Sequence, residues 1–226
     1  NGSGSFTGSE RTPLALFLHG SRLAVVLDVY GYESAGSEMY YTEYVGVDFY
    51  DVSDPHTPIL LASTGQDGVF SDAWMSGGAL CIATAYSVSD PADAADTESF
   101  VPRMHTAADA RPLDAESLYA LPNGGGDCAV LAAYSLDEAV QKNAVAVYGA
   151  EAKNLYAVPG SLFLTDTHSV SAESRRMSDD MGSYTEYADI VCTDLFRFDY
   201  DASGIRLGAS GIVSGVLPEK SAIAPF

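Results

Sequence analysis

Tyr44-Val45-Gly46-Val47-Asp48-Phe49-Tyr50 runs into Asp51-Val52-Ser53-Asp54-Pro55, and Ile59-Leu60-Leu61-Ala62-Ser63 follows. The first stretch is β-branched and aromatic, which suits a pleated, half-buried surface. The second is a turn. Asp54 ahead of Pro55 initiates it, and Pro58 then directs the chain into the next strand. Strand, acidic turn, strand is therefore the reading, with Asp51 and Asp54 as architectural residues.

Upstream, Leu14 to Leu18 and Leu23 to Leu27 flank His19-Gly20-Ser21 and form a hairpin. Downstream the same order returns. Asp72 to Met75 passes through Gly77-Gly78 into Leu80 to Thr84, and Cys128 to Tyr134 is followed by Ala144 to Tyr148. A third pass runs from Leu155 to Val158 through Pro159-Gly160 to Leu162 to Thr165. It closes with Ile190 to Phe198, a turn at Asp199 to Gly204, and Ile205 to Ala209. Three passes of one four-strand unit make a repeat. Several strands are nearly continuous in apolar residues, as expected where neighbours cover both sheet faces. The fold class predicted is all-β, a partial propeller of about three four-stranded antiparallel blades with long inter-strand insertions. A β-sandwich would not explain the repeated glycine turn before a leucine-initiated strand.

This gives residues 1–12 as a linker remnant and 13–216 as the propeller fragment. Blades are expected at about 13–67, 68–151 and 152–216, with 217–226 a tail or the start of a further blade. The opening Asn1-Gly2-Ser3-Gly4-Ser5 leads to the expectation that the chain is part of a longer protein.

With 11 Lys+Arg against 31 Asp+Glu the formal charge is −20. Such a field repels phosphate backbones, so nucleic acid is excluded as a partner. No apolar run reaches the roughly 18 residues of a membrane span. Cys81, Cys128 and Cys192 each sit in an apolar run, where a buried free thiol is the expectation; spacing alone does not fix their disulfide state.

Polar stretches at about 31–43, 86–127 and 171–187 all fall between the second and third strands of their units. In a radial array such connections emerge at one end. Hairpins need only about 2–5 residues there, so the excess reads as binding loops. Their content is acids and tyrosines. The candidate ligand-binding residues are Tyr40, Tyr41, Tyr184, Tyr187, Asp179 and Asp180. Residues 88–112 offer little apolar surface to bury and are expected to be the most mobile part of the chain.

Asp199-Tyr200-Asp201-Ala202-Ser203-Gly204 matches the first half of a calcium loop, with Asp199, Asp201 and Ser203 as weak metal candidates. Ser210 stands where the closing bidentate Glu belongs, and an Asx-turn is the competing reading. No other cofactor is indicated. Asp166 and His168 share a strand face and could begin a metal site, but no third ligand is identifiable. No nucleophile elbow or phosphate loop is present. Nothing in these motifs supports catalysis.

The stretch Val47 to Pro58 resembles the valine, tyrosine-aspartate-valine-serine-aspartate-proline signature of bacterial secreted proteins with a C-terminal β-propeller domain distantly related to WD-repeat proteins. Gly77 to Thr84, Leu113 to Asn123, Lys153 to Ala157 and Ala209 to Gly215 are similar to that family's later segments in the same order. After Gly215 the similarity ends. The resemblance implies a secreted or cell-surface propeller without established catalytic residues. The expected role is an extracellular or cell-envelope binding or scaffolding module whose partners are protein, peptide or glycan. The alternative is part of a cell-envelope hydrolase whose site is completed by other blades. Ligand and oligomeric state stay open.

Overall fold

The computed structural model describes residues 10–35, 38–88, 100–107, 109–121, 126–152, 154–179 and 182–217. The chain is built from three antiparallel meanders. The first comprises β1 (Glu10–His19), β2 (Arg22–Ala35), β3 (Glu38–Asp51) and β4 (Ile59–Asp67). The middle sheet pairs β5 (Val69–Ser76), β6 (Ala79–Ser87), β10 (Asp127–Ser135) and β11 (Val140–Tyr148). The third comprises β12 (Leu155–Val158), β13 (Ser161–Asp179), β14 (Gly182–Asp201) and β15 (Gly204–Ser214). Each sheet thus carries the four-strand order of one propeller blade.

The middle sheet is buried on both faces, and this accounts for its uninterrupted apolar strands. Because side chains alternate along a strand, Ala79, Cys81, Ala83, Ala129, Leu131, Ala133, Val145 and Val147 face one way. They pack against Leu155, Leu162, Leu164, Phe198, Tyr200 and Ile205 of the third sheet. Leu80, Ile82, Ala132, Tyr134 and Ala144 face the other way, onto Ala24, Val26, Val45, Val47 and Phe49 of the first sheet. Each fully buried Leu, Ile or Val contributes about 1.5–3 kcal/mol from removal of apolar surface. Alanines fill the centre, which lets the sheets approach closely. The outer faces of the stack remain open: Leu16 is 66% and Leu18 59% exposed on the first sheet.

Between the first two sheets Gln66 is wholly buried. Its Oε1 accepts from the Tyr134 hydroxyl at 2.9 Å, and its Nε2 donates to Thr84 Oγ1 at 3.1 Å. Thr84 Oγ1 in turn donates to the Asp67 carbonyl at 2.7 Å. These bonds tie β4 to β6 and β10 in one register. Gly68 then carries the chain from the first sheet into the second at φ +101°. A Cβ there would stand 2.7 Å from the Ala85 carbonyl oxygen, so this crossing requires glycine.

Asp51 and Asp54 build the proline turn as expected. The Ser53 and His56 backbone N–H groups donate to their carboxylates at 2.9 and 3.0 Å, and Thr57 Oγ1 donates to Asp54 at 2.8 Å. Backbone donation from Ser53, aided by Arg22, holds the Asp51 carboxyl at about 2.

Three expectations need correction. The stretches 31–43 and 171–187 are not loops but the outer halves of long hairpins. β2 pairs with β3 out to Ala35↔Glu38, and β13 pairs with β14 out to Asp179↔Gly182. The linker assigned to 1–12 is too long, because Glu10 to Thr12 already pair with Tyr30 to Asp28. The 86–127 insertion contains three paired strands. Its β7 (Arg103–Thr106) pairs with β4 and with β8 (Ala110–Pro112), extending the first sheet. A single 3-10 turn, Ala115–Ser117, leads to β9 (Leu118–Ala120), which adds to β11 in parallel. The insertion therefore bridges two blades, and its 103–112 portion is not the free segment expected. Residues 89–99 and 108 of that expectation lie outside the described residues, as do 218–226 of the tail.

Candidate functional site

The β2–β3, β6–β10 and β13–β14 connections leave their sheets at one end of the stack. The β4–β5 and β11–β12 crossings lie at that end too. The tight turns at Gly20, Pro55, Gly77, Gly160 and Ala202 lie at the other. Strand direction alone sorts the molecule into a plain end and an elaborated one.

The best-organised polar group at the elaborated end surrounds Asp67, the last residue of β4. Its carboxylate, 8% exposed, lies 2.6 Å from His105 Nε2 and accepts the Arg103 backbone N–H at 2.8 Å. The His105 ring stacks on Tyr44 with centroids 4.2 Å apart. Tyr86 lies close by, and burial followed by the Asp67 charge raises its phenol. Tyr148 donates to the Phe100 carbonyl at 2.7 Å, and burial raises its phenol as well. These phenols stay neutral. They offer flat rings and donors, not acid–base chemistry. The arrangement staples the insertion onto the first two blades.

Beside it a cleft of ≈ 260 Å³ is lined by Phe70, Ser71, Tyr86, Asp127, Cys128 and Glu151, among others. Ser71 Oγ donates to the Ala152 carbonyl at 3.0 Å across the blade boundary. Two carboxylates and two aromatic rings are among the residues that line the cleft. The Cys128 thiol is pushed up to about 12 by burial, and Cys81 is raised by the same cause. Both are free and inert as nucleophiles.

The residues expected to bind ligand divide between two hairpins. Tyr40 and Tyr41 stand on β3, opposite Glu33 and Tyr32. Tyr184 and Tyr187 stand on β14, opposite Met177 and Glu173. Tyr41 is 58% and Tyr187 65% exposed. Asp179 ends β13 opposite Gly182, and Asp180 lies outside the described residues. What the sequence reading missed is the Asp67–Arg103–His105–Tyr44 group. Its members come from positions up to 61 residues apart, and no local spacing joins them.

At Asp199 to Gly204 the hydrogen bonds are those of the Asx-turn that competes with the calcium-loop reading. Asp201 accepts the Ser203 backbone N–H at 2.8 Å and the Ser203 hydroxyl, as an Asx-turn does. Asp199 accepts from Ser161 at 2.8 Å, and its Oδ1 lies 3.2 Å from Arg197 Nε. The two carboxylates sit on successive strand positions two apart and serve a hairpin. Cys192 is likewise a free thiol.

No curated protein and no solved structure matches this chain. A family model described as Beta propeller domain matches residues 3–223, almost the whole sequence. That match and the three stacked four-strand units agree, and the chain belongs to the beta propeller domain family.

Proposed function

We propose that the chain is an extracellular or cell-surface binding and scaffolding module. Its elaborated end recognises a cationic protein or peptide, or a glycan. The observation that carries this reading is the convergence of all three extended connections on one end of a rigid stack. Two of them are long paired hairpins presenting exposed tyrosines. Tyrosine supplies large rigid contact area at low entropic cost, with a polar tip. A net charge of −20 steers cations at low salt. The cell-surface assignment rests on the resemblance of the Val47 to Pro58 segment to secreted bacterial propellers.

The test is a peptide and glycan array read at low and high salt. The parent is compared with a variant carrying Tyr40, Tyr41, Tyr184 and Tyr187 changed to Ala. Ligands held by the parent and lost by the variant support the reading. Equal binding by both removes the tyrosines from it.

A further inference from the structure

Asp166 and His168 lie two apart on β13, and the structure supplies the partners their spacing lacked. Asp166 pairs directly with Asp194 on β14, and His168 pairs directly with Cys192. Opposed residues of an antiparallel pair share a face, with Cβ atoms about 4.5–5.5 Å apart. Two carboxylates, an imidazole and a thiol therefore occupy four adjoining positions on the face that Leu164 and Phe196 present to the middle sheet. On the opposite face Thr167 Oγ1 and Thr193 Oγ1 hydrogen-bond at 2.9 Å, and Thr193 Oγ1 donates to the Gly215 carbonyl at 2.7 Å. These bonds fix the register that brings the four together.

The imidazole is the telling group. Its Nδ1 is buried and has no hydrogen-bond partner, although Asp194 Oδ2 is only 3.4 Å away. The side chains of His168 and Asp194 are 15% and 13% exposed. A buried polar atom without a partner is costly, and native interiors rarely leave one. Two ligand atoms each about 2.0–2.1 Å from a tetrahedral ion stand about 3.3 Å apart. The observed separation matches that bite and is too long for a good hydrogen bond.

We propose that His168, Asp194 and Cys192 form a site for a divalent cation of the zinc class. Asp166 or a water molecule is the fourth ligand. Nitrogen, carboxylate and thiolate together suit zinc over calcium or magnesium, which take oxygen donors. Among the described residues no three such side chains already stand in ligating geometry. The site is a preset pair that closes when Cys192 turns a rotamer towards it and loses its proton. Closure would fasten β13 to β14 at the base of the extended hairpin, at the elaborated end.

The test is titration of the chelator-treated chain with zinc in excess magnesium, which occupies weak surface carboxylates. The account expects one zinc per chain, and affinity at least tenfold lower in His168→Ala and in Cys192→Ser. Cobalt substituted for zinc should show thiolate-to-metal absorption that Cys192→Ser abolishes. Circular dichroism of the metal-free variants checks that they fold. Zinc binding that none of the variants weakens, or only the weak binding that magnesium displaces, overturns the site. A cobalt complex without thiolate absorption overturns the role of Cys192.

Discussion

Gln66 shows how much one side chain can fix. It joins β4 to the middle sheet through Tyr134 and Thr84, at a boundary packed largely with apolar side chains. Replacing it by Leu keeps the volume but leaves the Tyr134 hydroxyl buried without its acceptor. The expected cost is about 2 kcal/mol, read as a lower urea midpoint at unchanged slope. Asp51 gives the pH counterpart. Its folded pKa of about 2 lies below the ordinary carboxylate value, so its contribution is full above that ordinary value and is lost as pH falls through about 2. Asp51→Asn should flatten the acid limb of a stability-against-pH curve between about 4 and 2. A variant with the parent's acid limb would show that the turn does not depend on that charge. At this scale the proline turn was legible, because Asx bonding is local. The partners of His168 were not, because register across a hairpin joins positions 24 and 26 residues away.

The strands of the three meanders were readable from runs of β-branched and apolar residues broken by glycine and proline. The outer halves of β2, β3, β13 and β14 were not. They are rich in polar residues and lack the apolar run that marks a strand in the sequence, and cross-strand backbone pairing holds them instead. The insertion strands were hidden for another reason: β7, β8 and β9 have only three or four residues, and they pair with β4 of the first sheet, with β7 and with β11 respectively, contacts that no local pattern announces. The Asp67–His105 contact ties β7 to β4 through a side chain, beside the bonds from the Arg103 N–H to Asp67 and from Thr64 Oγ1 to the His105 carbonyl. His105→Ala should therefore loosen this hairpin and speed tryptic cleavage after Arg103, while the rest of the digest is unchanged. Cleavage at the parent's rate would mean that the backbone pairing of β7 with β4 suffices.

At the scale of the whole molecule, the described residues form three stacked sheets, with the middle one covered on both faces. Its strands are the least exchangeable part of the chain, and amide hydrogen exchange should show β6 and β10 protected longest. Earlier exchange there than in β1 would contradict the layer order. The same stack gives the two ends their different characters, since every strand that rises into an insertion descends to a tight turn. Recognition at the elaborated end is the central claim. Its most direct measurement is the affinity of one array-identified ligand for two paired variants. Tyr41→Ala with Tyr187→Ala alters the elaborated end, and His56→Ala with Glu138→Ala, the latter in the β10–β11 turn beside Gly78, alters the plain end. The account predicts at least tenfold weaker binding for the first pair, as loss of buried aromatic anchors causes, and parent affinity for the second. Weakened binding in the second pair with none in the first would contradict it.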